Sequence, residues 1–94
     1  MDAAATPLPD LVLWRSERCH LCEDTTASLE ALLAERAATG RAVPRLVVRR
    51  IADDPVVERA LFEQVPVLEV DGRRLPLAVR LGAIRAFLDE TYGW

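Results

Sequence analysis

Hydrophobic residues in this chain fall into short groups that alternate between strand-like and helix-like spacing. An apolar run at residues 11–14 predicts a buried strand. Apolar side chains then recur every three or four residues until Thr39 and Gly40, which predicts an amphipathic helix of about five turns. The residues predicted to face inward are Cys22, Thr26, Leu29, Leu32, Leu33 and Arg36, and those predicted to face outward are Glu23, Glu30 and Glu35.

A second apolar group at residues 45–51 predicts another strand. A strand–helix–strand unit of this length predicts a parallel pair with a right-handed crossover. Residues 53–55, Asp-Asp-Pro, predict the start of a short helix, because an acidic N-cap followed by proline suits a first turn. The residues predicted to face inward are Val57, Ala60 and Leu61, and the helix is expected to end near Glu63.

The second half of the chain predicts a hairpin and a closing helix. Residues 67–70 and 73–77 flank Asp71 and Gly72, a strong two-residue hairpin signal that makes the two strands antiparallel. Pro76 cannot donate to a ladder, so the last strand is expected at a sheet edge. The helical spacing of Leu81, Ile84, Phe87 and Leu88 predicts a final helix that runs to about Tyr92.

The predicted order is strand, helix, strand, helix, strand, strand, helix. This βαβαββα order, with a Cys-x-x-Cys pair at the end of the first strand, is the arrangement of the thioredoxin-like fold. The expected class is therefore α/β, with a four-stranded mixed sheet flanked by helices. We expect one domain over residues 1–94, with residues 1–9 as a loose arm because they hold two prolines and small residues.

Composition and charge indicate which partners and which compartment to expect. The formal net charge of −3, with acidic residues spread along the chain, provides no basic stripe for nucleic acid. Asp2 stands where a signal peptide would be positively charged, and no long apolar run follows. We therefore expect a cytosolic monomer that binds neither nucleic acid nor membrane. In a reducing compartment, two cysteines favour a catalytic, redox-sensing or metal role over a structural bridge.

Cys19 and Cys22 carry the candidate chemistry. A free cysteine has a pKa near ~8.5 and needs help to form the reactive thiolate. Cys19 is expected at the mouth of the first helix, where free N–H groups and the helix dipole favour an anion. Cys22, one turn deeper, is expected to be more buried. This predicts Cys19 as the attacking thiol and Cys22 as the resolving thiol of a disulfide exchange.

Charged neighbours act on the predicted thiolate in both directions. Arg15 and Arg18 add positive charge near Cys19, whereas Glu17 and Glu23 oppose it. His20, the only histidine, could hold charge or move protons near neutral pH, or could simply face solvent.

Two further stretches strengthen the redox interpretation through a family resemblance. The motif Cys19-His20-Leu21-Cys22, followed by an acidic first turn, and residues 65–68, Val-Pro-Val-Leu, resemble the glutaredoxin-like family of short bacterial thioredoxin-fold proteins over residues 11–88. The resemblance implies that Pro66 is cis and faces the cysteine pair. It also implies that the backbone of Val65 is exposed to an extended substrate. We expect Val65, Pro66, His20 and Arg18 to contact the substrate.

The chain also departs from the glutathione-using members of that family. Residues 78–80, Ala-Val-Arg, stand where those members have Gly-Gly and an acid that hold the glutamyl end of glutathione. Ser16 and Arg18 replace a basic and a small residue, and His20 replaces a proline. The expected partner is a disulfide-containing protein, or glutathione as a co-substrate that is bound without the Gly-Gly and acid. No cofactor is expected.

Other functions for the cysteine pair remain open at this stage. Cu(I) carriers also present Cys-x-x-Cys at a strand-to-helix junction, although the helix predicted after residue 53 does not fit their element order. A dimer that shares an iron–sulfur cluster is another metal-binding function. The third is a redox-inert interaction module that uses Trp14 and Trp94, with the two cysteines as apolar filler.

Overall fold

The computed structural model describes residues 7–94. Its element order matches the predicted βαβαββα order. A one-turn 3-10 helix at Ile51–Asp53 separates the second strand from the second α-helix. The elements are β1 (Leu11–Arg15), α1 (His20–Ala38), β2 (Leu46–Arg50), α2 (Pro55–Leu61), β3 (Val67–Val70), β4 (Arg73–Leu75) and α3 (Leu81–Tyr92).

The four strands form one mixed sheet in the order β2-β1-β3-β4. β1 pairs with β2 in parallel, as the strand–helix–strand unit predicts, and with β3 antiparallel. Leu13 of β1 therefore lies between Val48 of β2 and Leu68 of β3. β4 pairs antiparallel with β3 and lies at the sheet edge, as predicted. The architecture is an α/β fold of the thioredoxin-like type.

Side chains of β1 alternate between two faces of the sheet, and each face has its own core. Leu11 and Leu13 belong to the larger cluster, which includes residues of α1 and α3. Trp14 belongs to the smaller cluster, which includes Val57 and Leu61 of α2. The long first helix and the closing helix thus cover one face, and the short middle helix covers the other.

Local sequence signals explain where the short elements begin and turn. The side chain of Asp54 accepts hydrogen bonds from the N–H groups of Val56 and Val57, and Pro55 occupies the first turn of α2. Asp71 and Gly72 both have positive φ angles, 50° and 81°, as a type I′ hairpin turn requires.

Several expected positions are wrong in detail. Thr25, not Thr26, is buried on α1, since Thr25 is in contact with a segment that follows β4. Ile51 begins the 3-10 helix instead of ending β2. Ala60 is exposed because only Val57 and Leu61 of α2 reach the core, and α2 ends at Leu61, before Glu63.

β4 is shorter than expected. It ends at Leu75, so Pro76 and Leu77 lie beyond it. The expected loose arm falls mainly on residues 1–6, which lie outside the described residues. Residues 7–9 of that arm have no helix or strand, and the carbonyl of Pro9 accepts a hydrogen bond from the Tyr92 hydroxyl.

Candidate functional site: a dithiol at the start of the first helix

Cys19 is the N-cap residue of α1, as the sequence predicts. Its backbone is extended, with φ −108° and ψ 99°, and its Sγ accepts a hydrogen bond from the Cys22 N–H at 3.1 Å. Arg18, directly before it, has a φ of 54° in the left-handed region, so the chain turns sharply between β1 and α1. The sulfur of Cys19 therefore accepts a first-turn N–H that has no partner within the helix, and it lies at the positive end of the helix dipole.

The two cysteines form a disulfide, with their Cα atoms 5.2 Å apart. They differ in exposure as predicted, because Cys19 is half-buried and Cys22 is 0% exposed. A Cys-x-x-Cys pair in a small α/β fold is compatible with a redox function. The arrangement permits a reagent to reach the first sulfur while the second is shielded.

The acidic neighbours of the pair are matched by arginines. Glu23 lies 3.8 Å from the Arg15 guanidinium, and Glu17 lies 3.5 Å from that of Arg50. These two arginines therefore offset part of the negative charge that is expected, from the sequence, to disfavour a thiolate at Cys19. Arg18 is exposed, and within residues 7–94 its guanidinium has no carboxylate partner.

His20 points away from the protein interior. Its side chain is almost fully exposed, and its Nδ1 lies 3.9 Å from Oε1 of Glu23, one turn further along α1. Solvent and a partner molecule can both reach this imidazole.

The segment before β3 has the cis proline that the family resemblance implies. The Val65–Pro66 peptide bond is cis, Pro66 is buried and Val65 is half-buried. The carbonyls of Gln64 and Pro66 accept hydrogen bonds from the N–H groups of Leu77 and Ala78, both at 2.8 Å. Between them, the N–H and C=O of Val65 have no hydrogen-bond partner within residues 7–94.

Sequence reasoning missed a polar link between α1 and this region. The hydroxyl of Thr25 donates to the carbonyl of Ala78 at 2.6 Å, and Thr25 is only 2% exposed. Since Ala78 also bonds to Pro66, this chain of hydrogen bonds joins the helix of the cysteines to the Val65–Pro66 segment. The signal available in the sequence was a threonine three residues after Cys22, on the same side of the helix.

Exposed apolar side chains on three segments were also missed. Leu21 lies between the cysteines and is 53% exposed, and Leu77 and Val79 flank buried Ala78 with 57% and 44% exposed. At the start of α3, Leu81, one of the residues whose spacing predicts that helix, is exposed as well.

Comparison with known proteins identifies relatives by structure. No protein-family model matches the chain, and no curated protein matches it significantly. The X-ray structure of XcR50, a structural genomics target from X. campestris, is 31% identical, covers 85% of this chain and 96% of that one, and has a TM-score of 0.62. The solution structure of Ne2328 from Nitrosomonas europaea is 28% identical, covers 93% and 98%, and has a TM-score of 0.68.

Fold and site together define a small α/β protein of thioredoxin-like architecture with a Cys-x-x-Cys pair at the start of its first helix. With 31% identity over nearly all of XcR50, the chain belongs to the same family as that protein. Within the described residues, none of the helices has the length and apolar character needed to cross a membrane.

Proposed function

We propose that this protein is a glutaredoxin-like thiol–disulfide oxidoreductase that works by a dithiol mechanism. The observation that carries the proposal is the asymmetry of the pair. Cys19 caps α1, is half-exposed and accepts the Cys22 N–H, whereas Cys22 is fully buried within bonding reach. An N–H donor and the helix dipole stabilise a thiolate at the accessible position only.

In the proposed reaction the reduced protein gives two electrons to a substrate disulfide. The Cys19 thiolate attacks one substrate sulfur, the substrate S–S bond breaks, and the leaving thiolate takes up a proton. The Cys22 thiolate then attacks Sγ of Cys19, which breaks the mixed disulfide. The second substrate thiolate leaves and is protonated. The substrate has gained two electrons and two protons, and an external thiol, such as glutathione or a dithiol protein, restores the pair.

The residues around the pair have proposed roles in holding substrate. The unpaired N–H and C=O of Val65 support pairing with an extended substrate segment, as an added strand. Pro66 forms the floor beneath that segment. Arg18 and His20, both exposed next to Cys19, would contact the substrate on its other side.

The compartment belongs to the same proposal. A pair that must be reduced before it attacks suits a reducing compartment, so we place the protein in the cytosol. There it would act on disulfide-containing proteins or exchange with glutathione.

A reductase assay tests the function directly. We expect the protein, in catalytic amounts, to accelerate reduction of a disulfide-linked peptide by dithiothreitol. Cys19→Ser should leave only the uncatalysed rate, because no exposed thiolate remains. The matched control is Ser16→Ala. Ser16 precedes the pair in sequence, and this substitution removes a hydroxyl but leaves both cysteines in place. A wild-type rate equal to the uncatalysed rate would overturn the proposal, and stoichiometric zinc, copper or iron in the purified protein would favour metal binding instead.

A further inference from the structure

We propose that Thr25 is a positioning residue that holds Leu77 and Val79 as an apolar wall beside the substrate segment. This wall would favour disulfides in extended protein segments with apolar side chains over a small polar disulfide such as oxidised glutathione. The inference rests on the proposed function and names the substrate class of the same site.

Thr25 is distinguished by its burial and by the length of chain that its hydrogen bond spans. Among the described residues it is the only polar side chain in the buried class, and its bond to Ala78 connects positions 53 residues apart. Burial of a hydroxyl lowers the stability of a protein unless the hydroxyl forms a hydrogen bond. Loss of the bond from Thr25 to Ala78 would therefore destabilise the fold. Thr25 therefore ties the segment after β4 to the helix that begins at the cysteines.

The segment that Thr25 holds is fixed in an unusual conformation. Leu77 has a φ of 50°, in the left-handed region that residues with side chains seldom adopt. Its N–H donates to Gln64, the N–H of Ala78 donates to Pro66, and the N–H of Val79 donates back to Leu77. Because Ala78 is 0% exposed, the centre of the segment is anchored while its two neighbours face outward.

Leu77 and Val79 do not face outward in isolation. Leu77 lies against Gln64, one residue before the unpaired backbone of Val65. Leu21 lies four residues before Thr25 on α1, so these two residues share a side of the helix. The hydrogen bond from Thr25 to Ala78 therefore links two segments that each carry exposed apolar side chains, Leu21 on one and Leu77 and Val79 on the other. Adjoining exposed apolar residues mark interaction sites more often than scattered ones do.

The backbone of Val65 indicates what lies against this wall. Its N–H and C=O can both pair with an extended main chain, which offers a carbonyl and an N–H at matching spacing. In such a strand every second side chain points to the same side. A protein segment can therefore place apolar side chains against Leu77 and Val79 while its cystine reaches Cys19. Glutathione, with two carboxylates and one ammonium group, would bring charge to the same apolar wall.

The first experiment compares substrates and removes the wall. Three substrates are used with dithiothreitol as reductant: a cystine peptide flanked by Leu and Val, the same peptide flanked by Ser and Thr, and oxidised glutathione. We expect the wild type to prefer the apolar peptide over the polar one in kcat/KM. The double variant Leu77→Ser and Val79→Ser should reduce that preference roughly tenfold, through lost apolar burial. Val48→Ser is the matched control, since Val48 on β2 is as exposed as Val79.

The second experiment tests the positioning role of Thr25. Thr25→Val should raise KM for the apolar peptide, while the alkylation rate of Cys19 stays unchanged because the thiolate environment is not altered. Thr25→Ser keeps the hydroxyl and should restore the wild-type KM. Thr91→Val is the control, because the Thr91 hydroxyl bonds only within α3. Thermal unfolding identifies a temperature at which the wild type and these three variants are all folded.

The outcomes separate this inference from the function on which it rests. If the wild type reduces none of the three substrates, the proposed function is wrong and the inference falls with it. A wild type that is active but has the same kcat/KM for all three substrates would refute the apolar wall and leave the proposed function standing. A double variant with the same substrate preference as Val48→Ser would do the same. If folded Thr25→Val retains the wild-type KM, Thr25 is only a structural residue. Should Thr25→Val fail to fold, the double variant still decides the substrate preference.

Discussion

At the scale of single residues, Cys19 and Cys22 should differ in reactivity when the protein is reduced. Cys19 is half-exposed at the N-cap and accepts a backbone N–H, whereas Cys22 is fully buried. We expect iodoacetamide to modify Cys19 first, with a pH midpoint below the value of about 8.5 for a free cysteine. Mass spectrometry of digests taken over time at several pH values assigns each rate.

The control for this prediction is the same protein in concentrated urea, where the helix is absent and both cysteines should react alike. Equal rates in the folded protein, with an unshifted midpoint for both, would contradict the assignment of Cys19 as the reactive thiol.

Residue-level features were predictable where local sequence determines them. The difference in burial between Cys19 and Cys22 follows from their positions on one helix, so the sequence was sufficient. Thr25 was not predictable, since α1 has threonines at two adjacent positions and the choice depends on Ala78, 53 residues away. The outward direction of Leu77 likewise depends on bonds to Gln64 that no local pattern records.

At the scale of elements, α2 allows a test of how much an N-cap contributes to stability, because this helix is short and one side chain caps it. Asp54→Ala removes the acceptor for the N–H groups of Val56 and Val57. We expect the free energy of unfolding to fall by about 1 kcal/mol, the usual effect of losing such a cap. Urea unfolding followed by tryptophan fluorescence measures the change.

Asp53→Ala is the control for the cap. Asp53 is also exposed and acidic, but it only pairs with Arg50 on the surface, and an exposed ion pair of this kind adds little or no stability. Equal destabilisation by the two substitutions would show that the Asp54 cap has no special role.

Element types were predictable from hydrophobic spacing, but several boundaries were not. The acid and proline before α2 and the Asp71 and Gly72 turn are strong signals because each residue type suits one backbone conformation. By contrast, Ile51 is apolar and β-branched, as a strand residue would be, yet its carbonyl accepts the Asp54 N–H and the chain turns into a 3-10 helix. Tertiary placement outweighs strand propensity at that position.

At the scale of the whole molecule, Glu69 links three strands and should make stability depend on pH. Burial opposes ionisation of Glu69, but hydrogen bonds from Arg74 and Trp14 outweigh it and hold the pKa of Glu69 below its ordinary value. A carboxylate with a lowered folded-state pKa adds stability above the unfolded-state pKa. That stability is lost as pH falls through the folded value. The stabilisation should therefore be complete near neutral pH and disappear in acid.

Glu69→Gln should lower the free energy of unfolding by about 1 kcal/mol at pH 7, where the carboxylate is charged and only 23% exposed. The difference between wild type and variant should begin to shrink as the pH falls below about 4, where Glu69 of the unfolded protein becomes protonated. It should vanish once the pH lies below the lowered pKa of Glu69 in the folded protein. Urea unfolding of both proteins across this range is the measurement. A difference that stays constant with pH, or is absent at pH 7, would refute the role of the charge.

The global arrangement was predictable because the order of elements leaves few topologies. A strand–helix–strand unit followed by a helix, a hairpin and a helix predicted the parallel pairing of β1 with β2 and the edge position of β4. What the order could not supply is how the segment after β4 contacts α1 and the Val65–Pro66 segment. Those contacts are a few hydrogen bonds between distant residues, and they determine the shape of the proposed substrate site.

Trapping of mixed disulfides tests the central claim, that Cys19 attacks and Cys22 resolves, most directly. Reduced Cys22→Ser and Cys19→Ser proteins are each incubated with a cystine peptide and with oxidised glutathione, and intact masses are recorded before and after dithiothreitol. We predict that Cys22→Ser accumulates an adduct that dithiothreitol removes, because attack needs only Cys19 and release needs the missing thiol. Cys19→Ser should form none, since Cys22 is buried. Adducts on Cys19→Ser alone, or on neither variant, would contradict the account.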